Sequence, residues 1–191
     1  MNFVKIKCLR LAYVLVICVF GTVQASFDTS QIQDISQGEA DALVSLYDAF
    51  NGSNWNNDTE WLSSYTPGSW FGVTVNSGQV SGLDLSANAL NGSIWPTDIG
   101  NLTGLTTLDL SSNPQLSGTL PLELMSLTNL NTLYLGGTNV VVPTNPEFQI
   151  WLESIDILEL PTTHTVPVPG AMGLIVCGLA FMKRHGNHTR I

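Results

Sequence analysis

Apolar residues recur along the middle of the chain in strict register. Leu83, Leu108, Leu133 and Leu158 fall 25 residues apart, and so do Leu85, Leu110, Leu135 and Leu160. Leu105, Leu130 and Ile155 keep the same period, as do Leu102, Leu127 and Leu152, and also Pro96, Pro121 and Pro146. Several independent columns sharing one period mark a solenoid, in which each repeat is one structural unit stacked on the next. Inside each unit the pattern alternates. Leu83-Asp84-Leu85, Leu108-Asp109-Leu110, Leu133-Tyr134-Leu135 and Leu158-Glu159-Leu160 put leucine on one strand face and a polar or aromatic side chain on the other. The pattern predicts four strands, near 82–86, 107–111, 132–136 and 157–160, parallel in one sheet. Parallel neighbours need a crossover, which the segments at Pro96, Pro121 and Pro146 supply on the convex side. A single unit cannot bury its leucines alone; stacking four makes a continuous apolar column.

Upstream the period changes. Glu39 to Phe50 reads as an amphipathic helix with Ala40, Leu43, Val44, Tyr47 and Phe50 on one face, ended by Asn51-Gly52. Trp55, Trp61 and Trp70 follow. They read as core rather than as a sugar-stacking platform, since large apolar rings supply most of the burial a segment without cysteines can offer.

Leu105-Thr106-Thr107-Leu108-Asp109-Leu110-Ser111-Ser112-Asn113 fits the pattern L-x-x-L-x-L-x-x-N. In this the chain resembles the leucine-rich repeat family. Gly118-Thr119-Leu120-Pro121 adds the Gly-x-Ile/Leu-Pro signature of its plant-type subclass. The resemblance covers about residues 37–161. It implies an α/β solenoid of about four repeats of 25 residues, with one parallel sheet and a helical N-terminal cap. Asn88 and Asn113 stand where the family uses asparagine to satisfy backbone groups of neighbouring turns. That column continues as Thr138 and Thr163, so the ladder weakens toward the C-terminus. Asn54-Trp55, Trp61-Leu62 and Trp70-Phe71-Gly72-Val73 resemble the family's N-terminal cap. Two cysteines usually flank that last run; here Ser69 and Val75 stand in their places.

Charge is strongly segregated. The six Lys and Arg residues are Lys5, Lys7, Arg10, Lys183, Arg184 and Arg190, whereas all fifteen acidic residues lie between Asp28 and Glu159. Internal pairing with Lys or Arg is therefore impossible over most of the chain. Nucleic acid is excluded as a partner, because a polyanion would meet only like charge.

The basic ends read as targeting segments. Lys5, Lys7 and Arg10 precede an apolar run from Leu11 to Phe20, and Val23-Gln24-Ala25 offers a cleavage site after Ala25. At the other end Val166-Pro167-Val168-Pro169 precedes an uncharged stretch, Gly170 to Met182, and then Lys183-Arg184. That stretch is short for a membrane span, which needs about twenty residues. The order of parts resembles the PEP-CTERM sorting signal of Gram-negative bacteria, with Pro167 and Pro169 as the motif and Val168 in place of its glutamate. The resemblance implies recognition by an exosortase-type enzyme and an exported, cell-surface, matrix or membrane-anchored protein. The expected layout is a signal peptide (1–25), N-terminal cap (26–79), leucine-rich repeats (80–161), Pro-rich linker (162–169), short transmembrane or sorting helix (170–182) and basic tail (183–191). Cys8 and Cys18 fall in the signal segment and Cys177 in the tail, so the expected mature domain has no cysteine for catalysis or metal binding.

Candidate chemistry is confined to the outward strand positions. These form columns across neighbouring strands: Asp84, Asp109, Tyr134 and Glu159 in one, Thr107 and Thr132 beside it, and Ser86 and Ser111 on the other side. Paired carboxylates such as Asp84 and Asp109 suit Ca²⁺ or acid–base work in principle. The plainer reading is a solvated surface, since Leu-Asp-Leu-Ser is common in this repeat type. No catalytic residue, metal site or cofactor is expected, and an enzyme is not. The expected function is recognition of a protein, peptide or polysaccharide ligand by the concave sheet. The alternative is a structural component of an extracellular matrix or biofilm.

Overall fold

The computed structural model describes residues 27–162. Its first long element is α1 (Gln37–Ala49). Ser36 opens it with a capping box: its hydroxyl accepts the Glu39 amide, and the Glu39 carboxylate accepts the Ser36 amide in return. The helix thus begins two residues before the apolar pattern indicates. Its buried stripe is also turned from the expected one. Ala42 and Leu46 are buried with Ala40 and Leu43, whereas Val44 and Tyr47 are only half-buried. Two neighbours explain the turn. One side of α1 packs on the 3-10 helix Thr97–Asn101, and Tyr47 on its flank stacks on Trp61, with ring centroids 5.7 Å apart.

Next come β1 (Val73–Asn76) and β2 (Gln79–Asp84), which pair antiparallel. The turn between them is Ser77-Gly78, with φ of 51° and 78°. Two left-handed residues make the tight hairpin turn that matches strand twist. The repeats then add β3 (Asn91–Gly92), β4 (Thr107–Asp109), β5 (Gln115–Thr119), β6 (Thr132–Tyr134), β7 (Asn139–Val141), α2 (Pro146–Glu153) and β8 (Ile157–Glu159).

Two sheets result. The main one runs β1-β2-β4-β6-β8, and the second runs β3-β5-β7. In the main sheet Leu83, Leu108, Leu133 and Leu158 pair in register across four parallel strands. The expectation of one wholly parallel sheet is corrected on two counts. The Ser77-Gly78 hairpin adds β1 antiparallel at one edge, and short parallel strands form a second sheet where the chain leaves each repeat. Pro96 and Pro121 immediately precede 3-10 helices, Thr97–Asn101 and Leu122–Ser126, and Pro146 is the first residue of α2. Proline suits such starts because it needs no N–H partner there.

The leucine columns form the core. Leu83, Leu85, Leu108, Leu110, Leu133 and Leu135 are all buried, but Leu158 and Leu160 only partly. The polar column beside them is internal. Asn113 Oδ1 accepts the amides of Asn88 and Leu90, and Nδ2 donates to the carbonyls of Leu85, Leu110 and Ser111. Asn88 in turn accepts the Asn57 amide at 2.7 Å and donates to the Asn57 carbonyl at 2.9 Å. Thr138 makes one bond, to the Leu135 carbonyl. Thr163 lies outside the described residues.

Trp55, Trp61 and Trp70 are buried. Their rings form a continuous cluster, with centroids 5.0 Å apart from Trp55 to Trp61 and 4.8 Å from Trp61 to Trp70. Each indole N–H donates to a backbone carbonyl, at Phe50, Phe71 and Ser64 respectively. The cluster thereby ties the loop 50–71 together where a disulfide is absent: large apolar area with a satisfied polar tip. Trp95 repeats the device one turn later, edge-on to Phe50 and donating to the Ser117 carbonyl.

Candidate functional site

The strand register decides which outward side chains meet. Asp84 pairs with Asp109, Asp109 with Tyr134, and Tyr134 with Glu159. Thr74, Gly82, Thr107, Thr132 and Ile157 form the adjacent column. Leucines pointing inward on either side of each position leave these residues facing out. Asp84 is exposed; Asp109, Tyr134, Thr107 and Thr132 are half-buried.

The two aspartates are held in one way. Asp84 Oδ1 accepts the Ser86 amide at 3.0 Å and the Ser86 hydroxyl at 2.7 Å. Asp109 Oδ1 accepts the same groups of Ser111 at 2.9 and 2.6 Å. Each pair is a local turn at the strand exit, with a side-chain oxygen bonding backbone two residues on. Ser86 and Ser111 therefore orient the carboxylates rather than standing free as contacts.

Glu159 does not project as its column suggests. Its carboxylate lies where a Cβ on Gly136 would stand, so it folds down over the exit of β6. Only a residue without a side chain at 136 permits this. Tyr134 is then the last tall side chain of its column.

The opposite end is shaped by residues that sequence reasoning did not assign to the face. Gly72 has φ of 78° and accepts the Asp84 amide at 2.8 Å. A Cβ there would collide with the Asp84 carbonyl. No side chain from position 72 thus stands beside Asp84, which explains its exposure. Thr74 lies over Gly82. Thr74 therefore fills the face at Gly82, and position 72 leaves it open beside Asp84. The signal for this was the Ser77-Gly78 turn, which brings β1 back alongside β2.

Electrostatics are one-sided. All fifteen acidic residues fall among the described residues, and every Lys, Arg and His falls outside them. Asp84 and Asp109 are thus like charges on neighbouring strands, with no basic side chain among the described residues beside them. Among the described residues no group of three or more His, Cys, Asp or Glu side chains is placed to hold a metal ion. The outward face thus carries tethered carboxylates, hydroxyls and one phenol.

Ala25, Pro167 and Pro169, with the expected sorting helix and basic tail, lie outside the described residues. Among the described residues, no helix is long and apolar enough to cross a membrane.

No protein-family model matches the chain, and no curated protein does. Solved structures do match. A plant ice-binding protein aligns with a TM-score of 0.57 at 25% identity, over 68% of this chain. This chain spans only 42% of that protein's length. The LRR ectodomain of the receptor kinase SOBIR1 from Arabidopsis thaliana aligns with a TM-score of 0.52 at 25% identity, over 67% of this chain and 68% of that one. The BIR2 ectodomain from Arabidopsis thaliana gives 0.52 at 23% identity, over 68% and 69%. The chain therefore has a leucine-rich-repeat-like solenoid fold, and its neighbours include receptor ectodomains.

Proposed function

We propose that this chain is an exported binding module that recognises a protein or peptide, or else a glycan, through its concave sheet. The observation that carries the reading is the in-register column Asp84, Asp109 and Tyr134 on parallel strands. A rigid sheet presents these groups at fixed spacing, and a carboxylate pair beside a phenol suits a ligand with basic or polar groups. Thr107 and Thr132 add hydroxyls within the same footprint. Ser86 and Ser111 act through the aspartates, and Glu159 closes the far end. The LRR ectodomain of the receptor kinase SOBIR1 among its structural neighbours supports a binding class.

The targeting segments complete the proposal. Residues 1–25 direct export with cleavage after Ala25. Residues 26–79 cap the repeats of 80–161. The linker 162–169, with Pro167 and Pro169, precedes the short apolar segment 170–182 and the basic tail 183–191. This tail is read by an exosortase-type enzyme of a Gram-negative bacterium, or else holds the protein on the membrane. The same tail supports the alternative role, a matrix or biofilm component that needs no specific ligand. Mass spectrometry of the exported protein should show a chain beginning after Ala25 and ending near Val166. Retention of Lys183 would contradict sorting and leave a membrane anchor.

Binding is tested by screening the full chain against peptide and glycan arrays and measuring affinity for each saturable hit. Tyr134→Ala should weaken binding by about 1 kcal/mol or more while leaving the melting temperature nearly unchanged, since the side chain points away from the leucine core. Equal affinity with a lowered melting temperature would remove Tyr134 from the site. A screen without saturable hits favours the matrix role.

A further inference from the structure

Both sheets end on the same side of the solenoid, the main one at β8 and the second at β7. The opposite end is closed by β1, which turns back on β2, and by the capped helix α1. Among the described residues, no strand pairs with the outer edge of β8. The Ile157 amide donates to the Asn131 carbonyl at 2.9 Å, and the Glu159 carbonyl accepts the Leu135 amide at 2.7 Å. Both groups face β6. In a parallel ladder the intervening residue turns its N–H and C=O the other way, so Leu158 presents both at the outer edge. The apolar packing is unfinished at the same place. Leu83, Leu108 and Leu133 are at most 1% exposed, whereas β8 has no fully buried residue, and Leu160 and Trp151 beside it are only half-buried.

Charge selects the occupant. Glu153 and Asp156 are exposed at this end, and the described residues hold no Lys, Arg or His to offset them. A second copy would bring the same carboxylates to the same edge, which opposes pairing of two β8 strands. We propose that the outer edge of β8 takes up an extended segment of a partner protein, alternating basic and apolar residues, as an added strand. Main-chain bonds would go to Leu158. The apolar side chains would cover Leu158, Leu160 and Trp151, and the basic ones would meet the acidic end at Glu153 and Asp156. This site is independent of the concave face.

The probe is a synthetic peptide alternating Lys and Val, with a Glu–Val peptide as control, added to the full chain. Amide hydrogen exchange is read at Leu158. The Lys–Val peptide should slow that exchange about tenfold and the Glu–Val peptide should leave it unchanged. Glu153 and Asp156 are exposed, so Glu153→Lys with Asp156→Lys should retain the fold and reverse the preference. Binding of Lys–Val without protection at Leu158 would show diffuse attraction to the acidic surface and overturn the proposal. So would slow exchange at Leu158 before any peptide is added. In that case residues beyond Thr162 or a second copy already cover the edge, and sedimentation would separate the two.

Discussion

Asn113→Ala is expected to destabilise the domain by roughly 3–5 kcal/mol, the range seen when a buried polar network loses its central member. Asn113 is fully buried, and its amide makes five hydrogen bonds, all to backbone groups. Alanine leaves two amides and the Leu85 and Leu110 carbonyls without that partner, while the Ser111 carbonyl keeps the Ala87 amide. Each buried group left unpaired costs about 1–3 kcal/mol, reduced where the loop relaxes or water enters. Asn113→Asp should be at least as damaging, because a carboxylate would then face three carbonyl oxygens. Asn88→Ala should cost less, since Asn88 serves only Asn57. Urea unfolding checks the order, with midpoints falling as Asn88→Ala then Asn113→Ala and slopes unchanged. Equal midpoints for the two variants would mean that the ladder is not centred on Asn113.

Glu39→Ala is expected to cost about 2–4 kcal/mol, more than the loss of an ordinary helix cap at about 1 kcal/mol. The difference comes from its second oxygen. Oε2 serves the cap, accepting the Ser36 amide at 3.1 Å and hydroxyl at 2.8 Å, while Oε1 accepts the Val80 amide at 2.9 Å. One buried carboxylate thus joins the start of α1 to the start of β2, across 41 residues. Glu39→Gln separates the two roles. A glutamine has one acceptor oxygen, so its NH₂ must face either Ser36 or Val80, both of which offer an N–H. We expect it to be destabilising by about 1–3 kcal/mol, with faster hydrogen exchange at Val80. A neutral Glu39→Gln would show that the Val80 bond contributes nothing to stability.

The repeats were legible because each leucine column obeys one period and one strand alternation. Leu83, Leu108 and Leu133 needed no tertiary information to be placed in register. The hairpin was not legible in the same way. Val73 ends the Trp70-Phe71-Gly72-Val73 run and Val75 flanks it, so the cap resemblance masks the strand alternation that the Ser77-Gly78 turn closes. The second sheet was hidden by its composition: Asn91-Gly92 and Gln115–Thr119 carry Gly, Ser and Asn and alternate weakly. Nothing in the sequence separates Glu39 from a solvent-facing acid of a first helical turn; its contact with Val80 does. On the candidate face the identities of Asp84, Asp109 and Tyr134 followed from strand parity alone. The turn of Glu159 over Gly136 did not, because a rotamer choice decides it. Nor did the opening at Gly72, which depends on β1 returning beside β2.

The central claim is that the concave sheet is the recognition surface. Its most direct test is hydrogen exchange of the full chain, free and bound to the first ligand that gives saturable binding. Protection on binding should concentrate on the outer strand groups and turns of 82–86, 107–111 and 132–136. Protection confined instead to the second sheet, at 91–92, 115–119 and 139–141, would place the contact on the other face and contradict it.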